Sequence, residues 1–257
     1  MSASESLIHL LARYSDGCRL AAEHGSHSGV VFEYACENQP HGNGALGRWI
    51  DRIFLQASGG AALRRQLESR KRLLRSMIAE RRERGLPTTI LDVASGTGRA
   101  LREICRDDTG GDLVIVCHDR DPRKVMQGRE LIAREKLGNV TFAVGDATDQ
   151  ASYLVVSDPD IVIAMGLFPL LQHDAAVRTV IRLAFDHVRE GGKMLCTASR
   201  RRDPSAARWD SPVALPIIDR HEETVAGWMR ATGFVDTRTL TIDDSAPIVI
   251  GTKPAPG

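Results

Sequence analysis

The sequence predicts an α/β fold: a mostly parallel sheet of seven strands that ends in an antiparallel hairpin, preceded by an N-terminal helical lid. Three observations predict it. From Thr88 onward, short β-branched runs alternate with helical patterns, as in βαβ units. Residues 1–87 instead carry apolar residues at helical spacing, such as Leu63, Leu67, Leu74 and Ile78, and no ladder of strand-like runs. The tail changes texture again: a helical pattern is stopped by Gly233, and two strand-like runs flank Asp243-Asp244-Ser245.

In chain order, the strands are expected at Thr89–Ala94, Asp112–Cys117, Val140–Val144, Asp160–Met165 and Lys193–Ala198, then Phe234–Ile242 and Ala246–Lys253. The first four end close to Gly, Ala or Asp residues, at the edge where open α/β sheets place ligands. A helix is expected at Gly98–Arg106. Pro122 stands where proline suits a helix start, before Arg123–Leu137. The span Asp174–Glu190 shows Val177, Val180, Ile181, Ala184 and Val188 on one face and stops at Gly191-Gly192. Glu222–Thr232 completes the set. The domain boundary is expected between residues 87 and 88, separating the helical lid from the sheet domain.

The 257 residues suffice for one full α/β domain with an extension. With 34 basic and 33 acidic residues the net charge is only +1, and aromatic content is 5%, a poor profile for a nucleic-acid binder. The N-terminus lacks the basic-then-apolar profile of a secretory signal, and no apolar run is long enough to span a bilayer. The five cysteines, Cys18, Cys36, Cys105, Cys117 and Cys196, form neither a disulfide framework nor a zinc motif. A cytoplasmic protein is expected, a monomer or homodimer, without nucleic-acid or membrane partners. His24 and His27 have no carboxylate or cysteine to complete a metal set, so no metal is expected. The basic clusters Arg70-Lys71-Arg72 and Arg81-Arg82-Glu83-Arg84 read as a solvated helix face.

The chemistry concentrates in Ile90–Arg99, where a buried strand meets a loop of small residues and then a helix. Small residues let the backbone approach a ligand, and free N–H groups at a helix start favour electron-rich atoms. A dinucleotide fingerprint would want a third glycine where Leu101 stands. Asp92 lies just before the loop. A phosphate would gain nothing from that anion, whereas a ligand with ammonium and sulfonium groups would.

This stretch resembles the first motif of the class I S-adenosylmethionine (SAM)-dependent methyltransferases, an acid followed by Gly-x-Gly-x-Gly. Asp92, Ala94, Gly96 and Gly98 occupy its places, with Ser95 inside the loop and alanine in place of the first glycine. The resemblance covers about residues 88–253 and implies a Rossmann-like fold and SAM as the cofactor, used as a substrate. It implies that Asp119 holds the ribose diol at the end of the second strand, with Arg120 beside it and Asp121 as the runner-up. It implies that Asp146 and the Ala147 N–H read the adenine, and that Met165 and Gly166 line the methionine end. The Asn-Pro-Pro-Tyr signature of nucleic-acid amino methylation is absent.

The segments 28–40 and 47–52 resemble a bacterial group of methyltransferase-like proteins with a helical N-terminal extension, some fused to a hydrolase domain. Tyr14 and Tyr34 are candidates to cover the reacting end, Tyr34 with its ring on a cationic centre; the alternative for Tyr34 is core packing with a satisfied hydroxyl. Asp51 with Arg52 reads as structural, an ion pair or a cap; the alternative is that Arg52 grips a carboxylate. His173, shortly after the fourth strand, is the best-placed candidate base. Transfer of the methyl group to a small-molecule acceptor, as in secondary metabolism, is the first reading. The alternative is a SAM-consuming cyclase that closes azetidine-2-carboxylate and releases methylthioadenosine, or another non-methyl use of SAM. Such chemistry needs the same nucleoside pocket and a dry cavity.

Overall fold

The computed structural model describes residues 9–24, 29–56, 58–199, 218–241 and 246–255. His27 and the turn Asp243-Asp244-Ser245 lie outside the described residues. The chain divides into two compact units, with the junction between Ser69 and Arg70. Among the described residues no helix is long and apolar enough to cross a membrane.

The first unit contains α1 (Asp16–His24), α2 (Gly29–Glu37), α3 (Gly44–Gln56) and the start of α4 (Ser58–Glu83). It is organised around one carboxylate. Asp51 is fully buried and accepts from Ser15 Oγ at 2.5 Å, Tyr34 Oη at 2.5 Å, and the backbone N–H groups of Gly17, His41 and Gly42 at 2.9, 3.0 and 2.7 Å. Burial pushes the Asp51 carboxyl up, but the donors from Ser15, Tyr34, Gly17 and Gly42 outweigh it and hold the group below its usual range. Arg64 donates to the carbonyls of Ala35 and Leu55, tying α2 and α3 to α4.

The second unit is the sheet. Its strands are β1 (Thr88–Asp92), β2 (Leu113–Asp119), β3 (Val140–Val144), β4 (Ile161–Ala164), β5 (Lys193–Thr197), β6 (Val235–Leu240) and β7 (Ile248–Thr252), in the order β3-β2-β1-β4-β5-β7-β6. The first five are parallel; β7 runs antiparallel between β5 and β6. The order reverses between β1 and β4, the point where an open sheet parts its loops and leaves a crevice. The helices are α5 (Arg99–Asp107), α6 (Pro122–Glu135), α7 (Asp174–His187) and α8 (Glu222–Thr232).

Strand alternation sorts the interior into two cores. Ile90, Ile115 and Phe142 pack with Leu74, Ile78, Leu101, Ile104 and Val125 on one face. Leu91, Val162 and Cys196 pack with Val180, Ala184, Val225 and Met229 on the other. The C-terminal half of α4 therefore packs with the sheet. Its basic clusters are not simply solvated. Lys71 bonds Glu103 at 2.7 Å, Arg75 bonds Asp107 at 2.5 Å, and Arg82 pairs with Asp108 and Asp112. Arg81 and Arg189 flank Asp160, which also accepts from Thr89 N–H. These pairs pin the helix along α5 and the amino edge of the sheet. Spacing alone cannot distinguish such a face from a solvated one, because the acids lie tens of residues away.

Gly98 starts α5 with φ of 69°, and a Cβ there would stand 2.7 Å from Phe142 Cζ and 3.3 Å from Cys117 Sγ. Left-handed backbone and tight packing thus coincide at one residue. The Gly98→Ala protein should lose about 2–4 kcal/mol of stability from strain and overpacking together. Urea denaturation measures this, and an unshifted midpoint would show that the loop can relax around a methyl group.

Candidate functional site

The carboxyl ends of β1, β2 and β3 bring the expected cofactor residues together. Asp92 ends β1, 9% exposed, and accepts a 3.1 Å bond from Ala94 N–H. The loop then turns through Ser95, whose N–H and Oγ both donate to the His118 carbonyl at 2.8 and 3.0 Å. Gly96, at φ of 60°, donates its N–H to Asp119 Oδ2 at 2.9 Å. Asp119 Oδ1 accepts from Asp121 N–H at 2.9 Å. A carboxylate has about four lone-pair positions. Asp119 therefore fixes two loops and keeps acceptor capacity for hydroxyl groups. Asp121 is engaged differently: it caps α6, accepting from Arg123 N–H at 3.0 Å, and pairs with the Arg123 side chain.

Asp146 follows β3 and is exposed. Its Oδ1 accepts from Thr148 N–H and Oγ1 at 2.8 and 2.7 Å, bonds that hold the carboxyl below its usual range. Gly145 N–H bonds the Asp119 carbonyl at 3.2 Å, which joins the second and third loops. The buried Tyr153 hydroxyl donates to the Ala147 carbonyl at 2.9 Å and sets that residue's backbone. Arg120 is exposed beside Asp119 and lowers the Asp146 carboxyl further. After β4, Met165 is 9% exposed, and Gly166 N–H donates to Thr197 Oγ1 at 2.7 Å.

Of the expected catalytic residues, Tyr14 and Tyr34 belong to the first unit and His173 to the second. Tyr34 is buried in the first unit and donates its hydroxyl to Asp51. Burial, followed by that bond, pushes its hydroxyl well above the ordinary tyrosine range. Its geometry in that unit is that of a core residue with a satisfied hydroxyl. Tyr14 also belongs to the first unit and is exposed. His173 is exposed at the N-cap position of α7, and its side chain makes no cap bond.

Three residues that no sequence pattern marked shape the site. Arg220, 4% exposed, donates to the carbonyls of Phe168 and Leu171 at 2.6 and 2.9 Å and to Asp174 at 2.8 Å. Its N–H bonds Ser199 Oγ at 3.0 Å. This guanidinium fixes the path of the chain after β4. Arg102 bonds the Thr97 carbonyl at 2.9 Å and pairs with Glu135, supporting the glycine loop from below. His118 is buried at the end of β2, and among the described residues neither ring nitrogen has a hydrogen-bond partner. Burial lowers its pKa, so the ring stays neutral. It lies under Gly145, where a Cβ would come within 2.4 Å of Nδ1.

Electrostatically, Asp92 stands apart. Burial pushes its carboxyl up to about 7; the nearby Asp119 pushes the same way, while Ala94 N–H and Arg70 oppose it. A carboxylate left so poorly compensated suits a cationic ligand. Glycines that open the backbone and an acid with spare lone pairs suit a ribose. The residues present therefore fit SAM. In the same fold, Cys105, Cys117 and Cys196 are buried, and burial raises each thiol above its ordinary range.

A seven-stranded sheet with this order and three acid-bearing loops at the carboxyl edge defines the class I SAM-dependent methyltransferase superfamily. More narrowly, the model of the family described as "Putative methyltransferase" matches residues 1–204, and the chain belongs to that family. A curated relative, "Uncharacterized protein YnbC" of Escherichia coli K12, is 28% identical over 193 residues, 74% of this chain. The match covers 33% of that protein, so the chain spans about a third of the relative's length. Among solved structures, the SAM-dependent methyltransferase SibL aligns with a TM-score of 0.59 at 18% identity, over 93% of this chain and 73% of SibL. An O-methyltransferase family protein from Burkholderia thailandensis aligns with a TM-score of 0.55 at 18% identity, over 80% of this chain and 63% of its own. At these identities the likeness is one of fold.

The raised Asp92 pKa has a stability consequence with a definite sign. The unfolded chain releases this proton near pH 3.8, the folded chain only near pH 7, so ionisation costs stability as pH rises between those values and above. The Asp92→Asn protein escapes that cost. It should gain on the order of 2–4 kcal/mol at pH 8 and little at pH 4. Denaturant titrations at the two pH values check this, and an equal effect at both would assign the change to packing.

Proposed function

We propose that this chain binds SAM at the carboxyl edge of β1–β3 and transfers its methyl group to a small-molecule acceptor. The observation that carries the reading is Asp119. Its two oxygens accept from the glycine loop and from Asp121, which leaves lone pairs that the paired hydroxyls of a ribose would use. Bound SAM supplies a methyl group already activated by its sulfonium. The chain's own task is then to orient and to exclude water. Asp119 holds the ribose, Asp146 and the Ala147 N–H read the adenine, and Asp92 balances positive charge. Gly166, fixed by Thr197, leaves open the approach to the methyl group. A nucleic-acid acceptor is disfavoured by the near balance of 34 basic against 33 acidic residues.

SAM and S-adenosylhomocysteine, and not NAD, should raise the melting temperature, because a ligand bound only to the folded state stabilises it by mass action. Asp119→Ala should weaken SAM binding by about 2–3 kcal/mol in calorimetry. A thermal shift with NAD alone would overturn the reading. Incubation with SAM alone distinguishes the chemistry. Methyl transfer requires an added acceptor and yields S-adenosylhomocysteine. Methylthioadenosine formed without any acceptor would mean cyclisation or lyase chemistry instead.

A further inference from the structure

We propose that His118 is a positioning residue for the nucleoside: its neutral ring keeps the second and third loops at their spacing, and a proton on that ring parts them and releases the ligand. The inference rests on the SAM reading above and adds a pH control to it.

His118 stands where the three loops meet. It is the last residue but one of β2. Its carbonyl accepts from Ser95 N–H at 2.8 Å and from Ser95 Oγ at 3.0 Å, which ties in the glycine loop. The next residue, Asp119, accepts from Gly96 N–H on its side chain and from Gly145 N–H on its carbonyl. Successive strand residues point to opposite faces, so the imidazole leaves the strand on the other side from the Asp119 carboxylate. There it meets the third loop. The place that a Gly145 Cβ would take is 2.4 Å from His118 Nδ1 and 2.6 Å from Ser152 Oγ. A shift of this ring therefore displaces the backbone on which Asp119 and Asp146 are carried.

The ring is 1% exposed, and among the described residues neither nitrogen has a hydrogen-bond partner. A neutral imidazole tolerates such a place far better than an imidazolium, which brings a charge and a second N–H donor. The titratable groups of the surrounding segments give the cation no relief. Burial keeps the Cys117 thiol and the Tyr153 hydroxyl neutral. Asp146 is held by Thr148 and influenced by Arg120, Asp149 accepts from Ala151 N–H, and Asp119 accepts on both oxygens. Asp92, on the neighbouring strand, bonds Ala94 N–H. A protonated ring must then reach water, and Gly145 and Ser152 must give way. The arrangement with parted loops takes up the proton more readily than the closed one, so nucleoside affinity falls as pH falls below the ordinary histidine value of 6.5.

The test uses 5′-methylthioadenosine, which carries the adenine and ribose and no amino-acid group to engage Asp92. Calorimetry on the full chain compares its affinity at about pH 7.5 and about pH 5.5, either side of that value. In the wild-type protein the affinity should fall by about three- to tenfold between the two. In His118→Phe, which keeps a flat ring and cannot titrate, the ratio should drop to about one, whatever the affinity at neutral pH. Asp92, whose carboxyl is pushed up to about 7, titrates in the same range, but its effect persists in the variant and so cancels from the comparison. Should His118→Phe fail to fold, NMR titration of the His118 ring in the wild-type protein decides: saturation with methylthioadenosine should move its protonation to lower pH. A wild-type affinity that is flat with pH, a fall that persists in His118→Phe, or a ring that titrates alike with and without nucleoside would overturn the assignment and leave the SAM reading standing. If the wild-type protein binds neither methylthioadenosine nor S-adenosylhomocysteine at neutral pH, both fail together.

Discussion

The burial of Asp92 sets conditions that much of the sheet unit meets. A charged carboxylate at the end of a strand with apolar neighbours is costly unless something answers it. The chain answers it sparingly: one backbone N–H from Ala94, and a guanidinium at a distance on α4. To keep the acid there, the glycine loop must turn sharply above it, Gly98 must let α5 start against Phe142, and Arg102 must hold the loop's carbonyl from beneath. The ion pairs along α4 and α5 keep the compensating charge in register. A strand end that an amide or an apolar group would fill at less cost instead carries a poorly compensated carboxyl.

Asp51 shows what the same chemistry looks like when its purpose is structural. It too is a buried carboxylate, but it has five donors, and its pKa falls where that of Asp92 rises. By donor count Asp119 stands between them, with two donors from the protein and lone pairs to spare. This ordering separates roles that residue type cannot. The saturated acid holds the fold together, and the acids left short of partners are the ones proposed for the site.

Much of this was legible in the chain itself. Strand and helix periodicity marked the elements of the sheet unit in chain order, and the resemblance to the SAM-dependent methyltransferases singled out the three acids that follow β1, β2 and β3. Asp121 read as a runner-up ribose ligand because it stands one pleat from Asp119; only the cap bond to Arg123 distinguishes them. Tyr34 could not be placed by pattern, since an aromatic residue amid apolar ones looks alike whether it lines a cavity or meets a carboxylate from another helix. Arg220 left no local signal at all. Its partners stand about fifty residues upstream and are mostly carbonyl oxygens, which no side-chain motif records. The boundary expected at residues 87 and 88 followed the first strand, whereas compactness divides the chain inside α4, because Leu74 and Ile78 join the sheet's core.

His118 and Gly145 occupy what is in effect a single volume at the second and third loops. The imidazole fills the space that any side chain at position 145 would need, with its Nδ1 2.4 Å from where a Cβ would stand. In evolutionary terms the two positions form one coupled character. A larger residue at 145 requires a smaller one at 118, and a histidine at 118 confines 145 to glycine. Drift through this part of the fold should proceed by paired replacement, so that correlated variation between two positions 27 apart in the chain would mark the contact beside Asp146.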